Sequence, residues 1–74
     1  MSPRLPTVTA IDAIRAFKKS GFEVIGQKGS HIHLKNDTGI HLIVPNHTGD
    51  LKRPLLKALI KHAGLTEDSF REML

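Results

Sequence analysis

Two turn signals in the middle of the chain restrict the fold more than any other feature of the sequence. Lys28-Gly29-Ser30 and Asn36-Asp37-Thr38-Gly39 are rich in residues that reverse the chain direction, and they separate segments too short for typical helices. Segments joined by such short turns pair with their neighbours. Residues 22–27, 31–35 and 40–44 are therefore predicted to form an antiparallel meander of three strands.

An amphipathic segment lies on each side of this predicted sheet. The first begins after Thr9, which can cap free helical N–H groups, and is expected to end near Gly21. The second is expected from about Lys52 to Ala63, with Pro54 in its first turn, where a missing N–H costs little. The stripes expected to be buried are Ala10, Ile11, Ala13, Ile14 and Phe17 in the first helix and Leu55, Leu56, Leu59, Ile60 and Ala63 in the second.

The predicted element order is α-β-β-β-α, and a short further helix is expected after Thr66. Helices on one face of a three-stranded antiparallel sheet make an α+β fold. Residues 1–8, which contain Pro3 and Pro6, are interpreted as an extended lead-in, and residues 9–74 as a single domain. A core of this size leaves little room for an enclosed cavity, so we expect function at a surface.

Composition excludes several classes of function. The chain has no cysteine, which rules out disulfides, thiolate metal sites and a cysteine nucleophile. No apolar run approaches the ~20 residues of a membrane span, and the N-terminus lacks the apolar segment of a signal peptide. We therefore expect a cytoplasmic protein without a membrane partner.

The net charge is +4, and the excess of Lys and Arg lies in residues 1–63, whereas residues 64–74 are net negative. A basic domain body indicates an anionic partner, either nucleic acid or an acidic protein, although the same charge also favours solubility.

The period of two in a strand predicts one apolar and one polar sheet face. The apolar face is predicted to carry Phe22, Val24, Ile32, Leu34, Ile40, Leu42 and Val44. The open face is predicted to carry His31, His33, Lys35, His41 and Ile43. Three interpretations of these histidines compete: a catalytic base, solvated polar side chains, or zinc ligands contributed by two neighbouring strands. No carboxylate lies near them in sequence to support a metal site.

Four motifs in order give the chain a resemblance to a known family. KKSGFEV closes the first helix, QKGSHIHL spans the first turn, VPNH ends the third strand, and LLKALIKHAGLT forms the second helix. Over roughly residues 8–74 the chain resembles the HicA-type mRNA interferase toxins of prokaryotic toxin–antitoxin pairs. Two features depart from the family pattern. Pro54-Leu55 stands where members often have Gly-Thr or Gly-Ser, and the second strand lacks an aromatic residue.

The resemblance implies a fold like that of a double-stranded-RNA-binding domain. It also implies cleavage of single-stranded mRNA without a metal or other cofactor, and neutralisation by a HicB-type antitoxin. The histidine of the family's Gly-Ser-His motif is the catalytic residue, which corresponds to His31 in this chain.

RNA carries its own nucleophile, the 2′-hydroxyl, so a small domain can cleave it with a base and cations that hold the phosphate. We predict His31 as the base, with support from Lys28, Gly29, Ser30 and His33. The donor to the leaving oxygen stays open among His33, His41 and Lys28. The residues predicted to bind RNA are Lys28, Lys35, His41, His47, Lys52, Arg53 and Lys57. The alternative function is a non-catalytic module of the same fold that binds RNA or an acidic protein.

Overall fold

The computed structural model describes residues 5–46 and 49–74, which form an antiparallel three-stranded sheet with helices on one face. In chain order the elements are α1 (Ala10–Lys19), β1 (Glu23–Lys28), β2 (His31–Lys35), β3 (His41–Pro45), α2 (Arg53–His62) and α3 (Glu67–Met73). The α+β fold and the element order predicted from the sequence are confirmed. The bounds of β1 and β3 lie one residue further along the chain than predicted.

The helices begin where the sequence places start signals. The Thr9 hydroxyl accepts a hydrogen bond of 3.2 Å from the N–H of Asp12, which satisfies one of the unpaired donors of α1. Thr66 and Ser69 form a reciprocal capping box at α3. The start of α2 has no side-chain cap but carries Pro54 in its first turn. An N–H at this position would have no partner within the helix, so the proline costs no hydrogen bond.

Phe17 is the central side chain of the core. It is fully buried, and its ring centroid lies 5.9 Å from that of Phe22 and 5.2 Å from that of Phe70. These three rings join α1, the start of the sheet and α3. The rest of the buried core comprises Leu5, Val8, Ala10, Ala13, Ile14, Ala16, Leu34, Leu42, Val44, Leu51, Leu56, Leu59, Ile60 and Ala63. The described structure contains no buried polar side chain, so apolar burial is the main source of its stability.

Two residues predicted in the buried helical stripes are exposed instead. Ile11 is 63% exposed and Leu55 is 36% exposed. Ile11 follows the buried Ala10, and Leu55 precedes the buried Leu56. Adjacent residues of a helix point about 100° apart around its axis, so both side chains turn away from the core. The buried stripes are therefore narrower than the run of apolar residues in the sequence.

Val24 is predicted to lie on the apolar face of the sheet, and it is 43% exposed. It is paired with the buried Leu34, so it does lie on the helix-covered side of the sheet. However, β1 is an edge strand, and the helices cover that edge incompletely. The prediction for Phe22, which is buried before β1 begins, is confirmed.

The segment before α1 packs onto the domain. Leu5 and Val8 belong to the core, and the carbonyl of Val8 accepts a 2.7 Å hydrogen bond from the N–H of Leu51. Thr9 forms an isolated bridge with Asp50. The boundary placed between residues 8 and 9 stays a prediction. Within the described part of the chain, no helix combines the length and apolar character needed to cross a membrane.

Candidate functional site

A two-residue turn pairs Lys28 with His31, and a β-bulge earlier in β1 makes this pair compatible with an inward-facing Val24. The pairing of β1 with β2 passes from Val24 opposite Leu34 to Gly26 opposite His33, so Ile25 has no partner. This extra residue interrupts the alternation of side chains that starts at Val24. Gly26 and Lys28 therefore face the open side, although an even spacing from Val24 would otherwise point them toward the helices. Lys28 thus lies directly opposite His31, on the side of the sheet away from the helices.

The hairpin turn between β1 and β2 holds this pair in place. Only Gly29 and Ser30 connect Lys28 to His31, and Gly29 has a φ of +59°. A glycine with positive φ in the first central position is the signature of a type II′ turn, whose twist matches that of the strands. Outside the turn, the carbonyl of Ser30 accepts a 2.6 Å hydrogen bond from the N–H of Asn46. This bond links the turn to the residue that follows β3.

Gly29→Ala is expected to lower the free energy of unfolding by at least about 1 kcal/mol, because an alanine at positive φ is strained. Urea denaturation followed by circular dichroism measures the change. The matched control is Gly26→Ala, where the backbone φ is not in the left-handed region and an added Cβ meets nothing within 4 Å. If the Gly29 variant were as stable as the Gly26 variant, the turn would not need its glycine.

A shallow depression on the open face is lined by Lys28, His31, His33 and Ile43 and has a volume of about 420 Å³. Gly26 lies opposite His33, and a Cβ added at Gly26 would meet no atom within 4 Å. The His31 side chain is exposed and makes no hydrogen bond to the described residues, whereas His33 is half-buried. A phosphodiester placed here would meet a cation and two imidazoles.

His33 also has a defined partner. Its Nδ1 lies 2.9 Å from Nε2 of His41, and the two ring centroids are 5.0 Å apart. The contact is diagonal across the sheet, because His33 is paired with Ile43 and His41 with Lys35. One of the two nitrogens must carry a proton and the other must accept it, since a hydrogen bond needs one donor and one acceptor.

The zinc interpretation of the histidines requires at least three ligands arranged around one point. Among residues 5–46 and 49–74, no group of three or more His, Asp or Glu side chains is arranged to hold a metal ion. His33 and His41 approach each other closely, but this is a pair and not a three-ligand set.

The remaining predicted RNA-binding residues divide into two groups. Lys35 and His41 are exposed and lie opposite each other on the open face, next to His33. Lys52, Arg53 and Lys57 are exposed at the start of α2, in the helical layer, and do not line the depression. His47 lies outside the described residues. The structure therefore brings Lys28, His31 and His33 together and leaves the α2 cations separate from them.

Sequence reasoning placed Ile43 on the open face but did not give it a role, although it forms part of the wall of the depression. An isolated apolar residue among histidines and lysines was the available signal. The close approach of His33 and His41 had no such signal, because strand alternation predicts which face a residue shares and not which diagonal neighbour its ring reaches.

Comparison with protein-family models matches residues 11–65 to the HicA toxin of bacterial toxin–antitoxin systems. The match runs from the first turn of α1 to just beyond α2 and so includes the whole sheet. A search among curated proteins gives no match. The chain therefore belongs to the HicA family of toxins, which act in pairs with an antitoxin, and its α-β-β-β-α order and Gly29-Ser30-His31 turn agree with this membership.

Proposed function

We propose that this toxin is a metal-independent endoribonuclease that cuts mRNA, with His31 as the general base. The observation that carries the proposal is the position of Lys28 directly opposite His31 on the exposed face, at the closing pair of a two-residue turn. Opposed residues in an antiparallel sheet have Cβ atoms about 5 Å apart. A single phosphodiester can therefore contact both the ammonium group and the imidazole.

The chemistry needs no nucleophile from the protein. His31 takes the proton from the 2′-hydroxyl, and O2′ attacks the adjacent phosphorus. Negative charge grows on the non-bridging oxygens as the O2′–P bond forms, and the Lys28 ammonium group stabilises it. Departure of the 5′ oxygen then leaves a 2′,3′-cyclic phosphate on one fragment and a 5′-hydroxyl on the other.

The remaining cations extend the contact with the strand. Lys35 continues the basic open face beyond the depression, and His41 lies opposite it. Lys52, Arg53 and Lys57 remain proposed phosphate contacts for RNA that reaches the edge of the helical layer. His47 also remains a proposed RNA contact. Neutralising phosphates releases counterions, so RNA affinity should fall steeply as salt rises.

We also propose that the antitoxin is of the HicB type and that it covers the open face. This face carries exposed cations at Lys28 and Lys35, which an acidic surface would complement. A partner bound there would block access to His31. Since mRNA is the proposed substrate, the cytoplasm is the proposed site of action.

Cleavage of a single-stranded, end-labelled RNA by the purified toxin in EDTA tests the proposal. The expected result is cutting that continues in EDTA and yields fragments ending in 2′,3′-cyclic phosphate. The matched substrate is the same RNA with 2′-O-methyl groups, which is expected to bind but not to be cut, because its nucleophile is blocked.

Two results would contradict the proposal in different ways. Cutting that EDTA abolishes would point to a metal-dependent nuclease. Salt-sensitive binding of both RNAs without cutting of either would identify the protein as a binding module.

A further inference from the structure

The His33–His41 pair is the most specific polar arrangement on the open face that the base mechanism leaves unused. Of the histidines in the described residues, His33 alone is half-buried, and it is the one that lines the depression beside His31. The Nδ1 atom of His33 lies 2.9 Å from Nε2 of His41, within hydrogen-bonding distance. A solvated surface histidine would have neither the burial nor the partner.

We infer that His33 is the general acid that protonates the leaving 5′ oxygen, and that His41 is a positioning residue that orients the ring of His33 by accepting a hydrogen bond from its Nδ1. The inference rests on the proposed function, because it assigns the second proton transfer of that reaction. In this assignment the acid is the imidazolium form of His33: its Nδ1–H donates to His41 Nε2, and its Nε2–H is the proton that passes to the 5′ oxygen.

The spacing of the two histidines suits an acid and a base acting on one phosphate. His31 and His33 are two residues apart on one strand and on one face, which separates their Cα atoms by about 7 Å. Hydrogen bonds of about 2.8 Å from each ring can then reach oxygens on opposite sides of a phosphorus held between them. This arrangement suits an in-line reaction, in which the attacking O2′ and the leaving 5′ oxygen lie on opposite sides of the phosphorus.

The step balances with these groups alone. His31 gains the 2′-hydroxyl proton as the O2′–P bond forms. The P–O5′ bond breaks, its electron pair stays on the 5′ oxygen, and that oxygen takes the proton from His33 Nε2. His33 is then neutral and still donates through Nδ1 to His41.

The open face carries other charged groups that any pH-dependent measurement must consider. Lys28 lies opposite His31, Lys35 lies opposite His41, and Glu23 lies opposite Lys35. A test based on the leaving group avoids this overlap, because it changes the chemistry of the substrate and not the charge of the protein.

The experiment compares two RNA substrates that differ in one bridging atom. One has the natural 5′ oxygen at the cleavage site, and the other has a 5′ sulfur, which leaves as a thiolate without protonation. His33→Ala is expected to slow cleavage of the oxygen substrate by about 100-fold or more and to leave cleavage of the sulfur substrate nearly unchanged. His31→Ala is expected to slow both, because the base is needed whatever group leaves.

The positioning role of His41 has its own signature. His41→Ala is expected to show the same selective loss on the oxygen substrate, to a smaller extent, and His41→Gln should recover part of it, since its side-chain oxygen can accept the Nδ1 proton. His62→Ala is the matched control, because His62 is exposed near the end of α2 and has no part in the proposed site. Circular dichroism of each variant checks its fold.

Several results would overturn the inference. Equal losses on both substrates would make His33 a binding or structural residue, and no loss on either would remove it from the reaction. Nitrogen NMR of the histidine rings tests the pair without catalysis, and a His33 ring unaffected by His41→Ala would remove the positioning role. If wild-type protein cuts neither substrate, the proposed function itself fails and the acid assignment fails with it.

Discussion

His31→Ala is expected to slow RNA cleavage by about 100-fold or more while leaving the fold intact, because a positioned base typically contributes a factor of this size. The His31 side chain is exposed and makes no hydrogen bond to the described residues, so its removal should change reactivity without changing stability. Single-turnover cleavage rates with excess protein measure the chemical step, and thermal unfolding measures the stability of the same samples.

The control for this experiment is Lys61→Ala, an exposed charge change on α2 outside the site. It should leave the single-turnover rate close to that of wild type, because Lys61 does not line the depression that contains His31. Equal rates for the His31 variant and the wild type would show that another group, or a contaminating nuclease, supplies the base. A loss of rate that accompanies unfolding would contradict the surface role of His31.

Phe17→Ala is expected to cause the largest loss of stability of any single change considered. Removing a fully buried phenyl ring costs about 3–5 kcal/mol, and a chain of this length has a total stability of roughly 4–11 kcal/mol. Phe17 contacts the rings of Phe22 and Phe70, so its truncation would remove the packing of α1 against the residue before β1 and against α3. Urea unfolding followed by circular dichroism measures the effect.

Ile11→Ala provides a matched control on the same helix, because Ile11 is 63% exposed and its truncation opens no cavity. It should change the free energy of unfolding by no more than about 0.5 kcal/mol. If Phe17→Ala does not fold, Phe17→Leu should still lose about 1–2 kcal/mol and keep the comparison measurable. Similar effects at residues 11 and 17 would mean that the apolar stripe is wider than the structure indicates.

The fold was predictable because its signals are local and mutually consistent. Turn residues divide the sheet, Thr9 and Thr66 cap their helices, and Pro54 occupies the first turn of α2. The errors arose where burial depends on the neighbouring layer. Ile11 and Val24 are apolar residues at the margins of a stripe and a sheet, and sequence pattern does not reveal where a packed surface ends.

The site was predictable to the level of shared faces and no further. Alternation along β2 placed His31 and His33 together, and the register confirms that placement. Alternation from Val24 predicts that Lys28 faces the helices, and only the bulge at Ile25 lets it face the open side. The His33–His41 contact depends on side-chain rotation. Both belong to tertiary geometry, which a period of two cannot encode.

The bulge at Ile25 has a consequence for which changes of length this hairpin can accept. It absorbs one extra residue between Val24, which faces the helices, and Lys28, which faces the open side. A strand without Ile25 would keep the same five pairs as a regular ladder, with Lys28 still opposite His31. A residue added to the Gly29-Ser30 turn or removed from it would instead shift the register of the whole hairpin, so the length of the turn and not that of β1 sets the Lys28–His31 pair.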